Sequence, residues 1–462
     1  MKHIYFGVGG GLLAGILALL ILFQGPLSLS QAPVAEPSET MSETAEPTSE
    51  PSATALPAET ATEEPEPEVI ECSVAELEAA ENIQSLQAQV INAETGEVLF
   101  DRDSSEANRS ASVMKLFTAA AALETLGPNY RVTTRVYVDA LDPSILYLVG
   151  AGDVTLSRTG VGVESVYEDA PKLSDLAKQI SAWSNTQTFS QIVLDSSLYG
   201  TPEGEYQSVW DLRGLTDGYM SPVSALQIDG DRDNPSGKDS PRSTDPVARA
   251  GTWFAEALGN SALEAEIVKG LTPPDAVEIA QVKSAPMKTW IDYMLLVSDN
   301  TLAEAMARLV SLDVGLNGSF ASLTQAYQRA LVETDIDLSS LRVEDGSGLS
   351  KNNKLAPATV NELLTLMYEG YGDFEIIVDG LPVAGTPGSL SYRFEDAVAK
   401  VVAKTGWIRT GYSLAGYLFP EDGSQLIFTV YNLANSVAIK NRDAMDELVM
   451  GFFGCGANLI DN

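Results

Sequence analysis

The chain begins with one long apolar run. Residues 4–24, IYFGVGGGLLAGILALLILFQ, carry no charged side chain, and a membrane-spanning helix needs ~20 predominantly apolar residues. Lys2 lies in the short tip 1–3 and the next basic residue is Arg102, so we expect the tip in the cytoplasm and the remainder of the chain outside. A cleaved signal peptide has an apolar region of only roughly 7–15 residues. The pattern therefore favours an uncleaved signal-anchor, with cleavage near LSQAPVA as the alternative.

Residues 25–71 form a polar, acidic segment. Pro, Glu, Ser, Thr and Ala dominate it, and it contains no aromatic residue. Such a segment cannot bury enough apolar surface to offset the entropy of ordering it, and its like charges extend it. We expect a disordered tether between the apolar run and a folded body.

From residue 72 onwards, short apolar segments follow the period of either a strand or a helix. LQAQVINAETGEVLFDRD alternates on both sides of a Gly-containing turn, which predicts a β-hairpin. The next segment, ANRSASVMKLFTAAAALETLG, predicts a buried helix that ends at 127–128. A second hairpin is predicted around 420–423, and a final helix over RDAMDELVMGFF. Helices and strands lack the βαβ regularity of a doubly wound sheet, so the predicted fold class is α+β.

Composition excludes several kinds of chemistry. The chain has 462 residues, enough for more than one domain, and a formal net charge of −36, which repels phosphates and argues against a nucleic-acid partner. Its single histidine, His3, precedes the apolar run. A Ser-His-Asp triad, a Cys-His pair and a His-ligated zinc are therefore excluded from the body, and we predict no metal and no cofactor.

The two cysteines lie near opposite ends of the folded body. Cys72 and Cys455 are the only cysteines in the chain. A pair placed in this way favours a disulfide formed in an oxidising compartment. Two unrelated thiols are the alternative.

A serine and a lysine three residues apart stand out in the buried helix. Ser112 and Lys115 form the only Ser-x-x-Lys in the chain, and residues at this spacing share one helix face. Burial among apolar residues favours the neutral form of a lysine, which can then take the proton of a serine. The alternative is a capping serine with a lysine that extends to solvent.

Two further short motifs follow. Ser298-Asp299-Asn300 lies at a break between two helical runs, whereas a second Ser-x-Asn, which starts at Ser350, lies in the polar stretch SKNNK. The only Lys-Thr-Gly, 404–406, follows a valine-rich run that predicts a strand. Glycine at such a position allows a ligand backbone to approach closely.

The three motifs in this order resemble the signature of penicillin-binding proteins and serine β-lactamases. Ser112 and Ser298 are 186 residues apart, too far for a compact β-lactamase, which implies an insertion. LVGAGDVTL, VLDSSLYG, MSPVSALQIDGD, VEDGSGLS and AKTGWIRTGYSLAGY resemble one branch, the low-molecular-mass D-alanyl-D-alanine carboxypeptidase/endopeptidases with inserted domains.

The resemblance implies a fold and a set of domains. We expect a penicillin-binding catalytic domain, with an antiparallel sheet flanked by helices and a helical subdomain, over residues 72–138 and 282–462. The insertion is expected over 139–281. The implied partners are peptidoglycan stem peptides that end in D-Ala-D-Ala and β-lactams that acylate the enzyme, at the outer face of a bacterial cell membrane.

The resemblance also implies roles for the motif residues. Ser112 would be the nucleophile, Lys115 its general base and Ser298 a proton relay to the leaving amine. The expected substrate-binding residues are Asn300, Lys404, Thr405 and Gly406. The oxyanion hole would use the backbone N–H groups of Ser112 and Trp407.

Trp407 departs from the family pattern. Many relatives have a small hydroxyl residue at this position, so one hydroxyl to the substrate carboxylate is missing here. Arg409 and Thr410 are candidates to compensate. The balance between carboxypeptidase and endopeptidase activity stays open.

Two rival functions are retained. A serine β-lactamase would need a deacylating base. Glu333, 35 residues after Ser298, is a candidate. Its surroundings in the sequence instead favour a solvent-exposed charge. A catalytically silent, membrane-tethered penicillin-binding scaffold is the second rival.

Overall fold

The computed structural model describes residues 71–200 and 204–461. The predicted tip 1–3, the predicted transmembrane helix 4–24 and all but the last residue of the predicted tether 25–71 lie outside this part of the chain. Within the described ranges, no helix is both long enough and apolar enough to cross a membrane.

Segments with the strand period pair into two five-stranded sheets. In chain order the strands are β1 Ser85–Asn92, β2 Val98–Arg102, β3 Thr133–Val138, β4 Ile145–Val149, β5 Gln191–Asp195, β6 Glu266–Lys269, β7 Val277–Lys283, β8 Val401–Ile408, β9 Gly411–Leu418 and β10 Leu426–Leu433.

The first sheet unites the two ends of the body. Its order is β2-β1-β10-β9-β8, and every neighbouring pair is antiparallel. Both predicted hairpins are confirmed, since β1 pairs with β2 and β9 pairs with β10. At one edge, β8 carries Lys404 in register with Ala415 of β9. The Lys-Thr-Gly motif therefore lies on an edge strand of this sheet.

The second sheet is built from the middle of the chain. Its order is β6-β5-β4-β3-β7, with parallel pairs β4–β5 and β5–β6 and antiparallel pairs β3–β4 and β3–β7. The sheet thus spans residues 133 to 283, slightly wider than the insertion predicted over 139–281. The domain boundaries themselves stay predictions.

Helices pack on both sheets and form a third, mainly helical part of the core. They are α1 Ala75–Glu78, α2 Met114–Thr125, α3 Leu173–Trp183, α4 Arg213–Asp217, α5 Pro246–Leu258, α6 Met287–Val297, α7 Asn300–Asp313, α8 Leu323–Ala330, α9 Pro357–Tyr368, α10 Glu375–Asp379 and α11 Ile439–Cys455. The predicted final helix is confirmed as α11.

Helix α2 is the centre of the helical core. Every residue from Met114 to Leu123 is buried, and the apolar ones pack with residues of α6, α7, α8 and α9. Lys115 and Thr118 are the polar side chains of this buried stretch. Burial of a lysine requires specific partners, because an unpaired buried charge is costly.

A disulfide closes the body. Cys72 and Cys455, the pair favoured by the sequence, are bonded to each other with a Cα–Cα distance of 5.4 Å. Cys72 also pairs with Leu459 in an isolated bridge. The bond links residues 383 apart in the chain, so it removes much loop entropy from the unfolded state.

Candidate active site

The Ser112 turn is clamped between two glycines. Ser112 lies in a short 3-10 turn, Ala111–Val113, immediately before α2. A Cβ on Gly348 would lie 1.9 Å from the Ala111 carbonyl oxygen, and a Cβ on Gly406 would lie 2.9 Å from the Ser112 nitrogen. Both close approaches require glycine. The strand that carries Lys-Thr-Gly therefore runs directly past the backbone of Ser112.

Lys115 is held at three oxygen atoms. Its Nζ donates to Ser112 Oγ at 3.0 Å, to Asn300 Oδ1 at 2.8 Å and to the Ser347 carbonyl oxygen at 2.6 Å. Complete burial lowers the pKa of Lys115 to about 8, against the opposing pull of the charges on Glu304 and other carboxylates. A neutral amine is therefore accessible near neutral pH.

The three partners determine where the lone pair of a neutral Lys115 points. A neutral amine keeps two N–H donors and gains one lone pair. The oxygen atoms of Asn300 and Ser347 accept only, whereas a serine hydroxyl can also donate. Ser112 is thus the partner whose proton can be directed to Nζ, which is the arrangement that a nucleophile and its base require.

The second motif occupies a strained turn between α6 and α7. Ser298 has φ 62°, in the left-handed region. Asp299 caps α7 by accepting from the Leu302 N–H at 2.8 Å, and Arg232 Nη2 donates to its other oxygen at 2.6 Å. Burial alone would raise the pKa of Asp299, but the charges of Arg232 and Arg242 outweigh it and hold that pKa below its usual range. Asp299 therefore stays ionised and holds the turn.

We expect Asp299→Asn to destabilise the fold by about 3–5 kcal/mol, because it leaves the buried Arg232 charge uncompensated. The side chains of Arg232 and Asp299 are only 1% and 4% exposed, and asparagine can still cap the helix. Chemical denaturation would measure the loss. Asp175→Asn, in the exposed pair with Lys178, is the control and should cost less than about 1 kcal/mol. An equally small loss for Asp299→Asn would contradict the expectation.

The third motif brings Lys404 to Ser298. Lys404 Nζ donates to Ser298 Oγ at 3.0 Å and to the Thr405 carbonyl oxygen at 2.7 Å. Its burial, and secondarily the charge of Lys115, hold the pKa of Lys404 well below its ordinary range. The hydroxyl of Ser298 is therefore hydrogen-bonded to Lys404 rather than to Lys115.

The motifs meet at a cleft of about 730 Å³. Of the predicted site residues, Ser112, Ser298, Asn300, Thr405, Gly406 and Trp407 line it. The two motif lysines lie directly behind this surface, fully buried. Asn300 Nδ2 donates to the Tyr219 carbonyl oxygen at 3.0 Å, so the inserted segment completes one wall.

The cleft is basic, although the whole chain is strongly acidic. Eight basic side chains line it, against three acidic ones. The basic residues are Arg213, Arg232, Lys238, Arg242, Lys351, Arg393, Arg409 and Arg442. A cleft of one sign attracts ligands of the other, so an anionic ligand suits this site. Among the described residues, no group of three or more His, Cys, Asp or Glu side chains is placed to hold a metal ion.

Sequence analysis missed Glu304, which supports the site from behind. Its buried carboxylate accepts from the Ser347 N–H at 2.8 Å and the Gly346 N–H at 3.3 Å. These contacts hold the loop whose Ser347 carbonyl binds Lys115. Burial, and the neighbouring charge of Asp345, raise the pKa of Glu304. The signal in the sequence was its position four residues after Asn300, on the same face of α7.

Glu333 does not belong to the cleft. It is exposed in a short 3-10 turn after α8 and is absent from the residues that line the cleft. The structure therefore gives no support to Glu333 as a deacylating base.

Comparison with known proteins identifies the family. The D-Ala-D-Ala carboxypeptidase 3 (S13) family model matches residues 71–239 and 231–451. Carboxypeptidase DacB of Mycolicibacterium smegmatis is 34% identical over 385 residues, with 80% of this chain and 81% of the relative covered. A carboxypeptidase of Mycobacterium tuberculosis is 32% identical, with 84% of each chain covered.

The fold is also that of a solved relative. The crystal structure of penicillin-binding protein 4 from Haemophilus influenzae superposes with a TM-score of 0.69 at 19% identity, and covers 82% of this chain and 99% of its own. The likeness confirms the predicted α+β penicillin-binding fold. Fold, motif geometry and family match agree, and the chain belongs to the D-Ala-D-Ala carboxypeptidase 3 (S13) family.

Proposed function

We propose that this chain is a serine D-Ala-D-Ala carboxypeptidase that trims peptidoglycan stem peptides. The observation that carries the proposal is the contact of Lys115 Nζ with Ser112 Oγ, at the floor of a basic cleft in a member of this family. Endopeptidase action on cross-linked stem peptides is the second candidate, because the departure from the family pattern at Trp407 leaves the balance between the two activities open. The side chain of Trp407 is 54% exposed at the cleft.

In the acylation step, Ser112 Oγ attacks the carbonyl carbon of the penultimate D-alanine and its proton passes to neutral Lys115. The backbone N–H groups of Ser112 and Trp407 stabilise the oxyanion; preorganised donors of this kind contribute about 2.7–4 kcal/mol each. The C–N bond then breaks, the proton held by Lys115 passes to the amine of the leaving D-alanine with Ser298 as the relay, and an ester remains on Ser112. Water hydrolyses this ester and restores the Ser112 hydroxyl.

The substrate carboxylate suits the part of the cleft next to Thr405. Lys404 is buried beside Lys115, which disfavours its charge in the free enzyme. An anionic carboxylate at Thr405 would favour the charged form of Lys404 again. Asn300 would bind the backbone of the substrate. The reaction as proposed uses groups of this chain and water, so no cofactor is needed.

A β-lactam would be attacked in the same way. Opening of the lactam ring also places an ester on Ser112, but the cleaved amine stays attached and continues to block the cleft. Penicillin-binding protein 4 of Haemophilus influenzae, whose fold this chain shares, has been solved in complex with a β-lactam, which supports this part of the proposal.

We also propose that the enzyme is anchored at the outer face of a bacterial cell membrane. The apolar run 4–24, the absence of basic residues between Lys2 and Arg102, and the disulfide between Cys72 and Cys455 support this location.

Two assays on the wild-type protein test the activity. We expect release of D-alanine from a peptide ending in D-Ala-D-Ala and none from the same peptide ending in L-Ala-L-Ala. We also expect an intact-mass adduct with benzylpenicillin that outlasts many turnovers of the peptide, because Glu333, the candidate deacylating base, does not line the cleft. Rapid turnover of benzylpenicillin would favour the β-lactamase hypothesis. If neither an adduct nor turnover is observed, the catalytically silent scaffold remains as the explanation. A cross-linked stem-peptide dimer as substrate measures the endopeptidase share.

A further inference from the structure

A half-buried serine from another segment adjoins Thr405 in the cleft. Ser389 and Thr405 both line the cavity, and Thr405 Oγ1 donates to Ser389 Oγ at 2.8 Å. Ser389 belongs to the segment TPGSLSYR, which sequence analysis did not single out. It lies 16 residues before Thr405 in the chain.

The segment that carries Ser389 is held against the Ser298 turn. The N–H of Ser389 donates to the Leu296 carbonyl oxygen at 3.2 Å, two residues before Ser298. A Cβ on Gly388 would lie 2.9 Å from a methyl carbon of Leu296, and its φ of 142° also favours glycine. The position of the Ser389 hydroxyl is therefore defined by backbone contacts as well as by Thr405.

The hydroxyl of Ser389 retains a proton to donate. A serine hydroxyl donates once and accepts up to twice. In the described part of the chain, Ser389 Oγ accepts from Thr405 and makes no further hydrogen bond. An anion bound next to Thr405 could therefore accept a hydrogen bond from Ser389.

We propose that Ser389 is a substrate-binding residue. When the terminal carboxylate of the peptide binds, the Thr405 hydroxyl turns its proton from Ser389 to the carboxylate and Ser389 donates its own, so that the two hydroxyls form a pair of donors. The inference rests on the proposed carboxypeptidase function and deepens it. Trp407, where a small hydroxyl residue is typical, cannot supply the second donor from its side chain. Ser389 supplies it from a neighbouring loop instead of from strand β8.

The other two candidates to replace that donor are less well placed. Arg409 is four residues beyond Thr405, about 13 Å along an extended chain at ~3.3 Å per residue, so its backbone lies well away from the carboxylate. The Oγ1 atom of Thr410 is buried without a hydrogen-bond partner in the described residues. In the described residues, the side chains of Arg409 and Thr410 make no hydrogen bond to Thr405, whereas Ser389 does.

The test compares two substrates that differ only in the carboxylate. Release of D-alanine from a D-Ala-D-Ala peptide and release of D-alaninamide from its C-terminal amide are measured for wild type and Ser389→Ala. We expect kcat/KM on the acid to fall about 10- to 100-fold, as for a lost hydrogen bond to a charged group, with kcat/KM on the amide unchanged. Ser391→Ala, a half-buried neighbour outside the cleft lining, is the matched control and should match wild type on both substrates.

Two further variants guard against a purely structural effect. Ser389→Thr keeps the hydroxyl and should keep the preference for the acid. Ser389→Ala combined with Trp407→Thr returns a hydroxyl to strand β8 and should recover part of that preference. Equal loss on acid and amide, or no loss at all, in Ser389→Ala would overturn the inference. A wild-type protein inactive on the acid would instead overturn the proposed function.

Discussion

Replacement of Ser112 by alanine should reduce D-alanine release by about four to six orders of magnitude and abolish the benzylpenicillin adduct. The two other serines that line the cleft in the described residues are engaged elsewhere: Ser298 is bonded to Lys404, and Ser389 to Thr405. Among the described residues, the one side-chain hydrogen bond that the variant loses is that from Lys115. The fold should therefore be retained, as near-UV circular dichroism would show.

Intact-protein mass spectrometry after incubation with benzylpenicillin measures this outcome directly. Ser340→Ala, at an exposed serine that does not line the cleft, is the control and should acquire the adduct at the wild-type rate. An adduct of full stoichiometry on Ser112→Ala would mean that another residue is the nucleophile. Peptide mapping would then identify it.

Lys115→Arg should lower the rate of acylation by benzylpenicillin by about 10²–10⁴-fold, the usual contribution of a general base. Arginine stays protonated at any accessible pH, so it cannot take the proton of Ser112. The positive charge is kept, which separates the loss of the base from a loss of charge. Lys178→Arg, on the exposed face of α3, should leave the rate unchanged.

The pH dependence gives the same prediction a second readout. The pKa of Lys115 is lowered to about 8 by its burial, and only the neutral amine accepts a proton. The neutral fraction rises with pH, so the wild-type acylation rate should increase about tenfold per pH unit below 8 and level off above it. Lys115→Arg should show no such rise between pH 6 and about 9. A wild-type profile without a rise through pH 8 would contradict Lys115 as the base.

The motif chemistry could be predicted because it is local in the sequence. Ser112 and Lys115 are three residues apart on one helix face, and a lone buried lysine beside a serine has few other uses in a chain whose only histidine is His3. The hairpins and the final helix were predictable for the same reason, since periodicity and turn residues act over a few positions. The position of the second sheet was implied only by the long interval between Ser112 and Ser298.

Several side-chain contacts between distant segments had no signal in the sequence, unlike the disulfide between Cys72 and Cys455. Arg232 and Asp299 are 67 residues apart, and no pattern within either segment announces that they form a buried ion pair. Ser389 carries no motif; its significance comes from a 2.8 Å contact with Thr405. Glu304 reads as an ordinary helical glutamate until its carboxylate is seen to bind the loop that holds Lys115.

The sequence by itself indicated the candidate reactive groups and excluded histidine-based catalysis from the body, because side-chain chemistry and helical spacing are properties of short segments. Only the tertiary structure decided which oxygen atoms surround Lys115, and therefore toward which one its lone pair turns. It also decided that Ser389, rather than a residue of β8, adjoins Thr405. Both depend on packing of segments far apart in the chain, where the free energy of a contact depends on burial and geometry that no local pattern encodes.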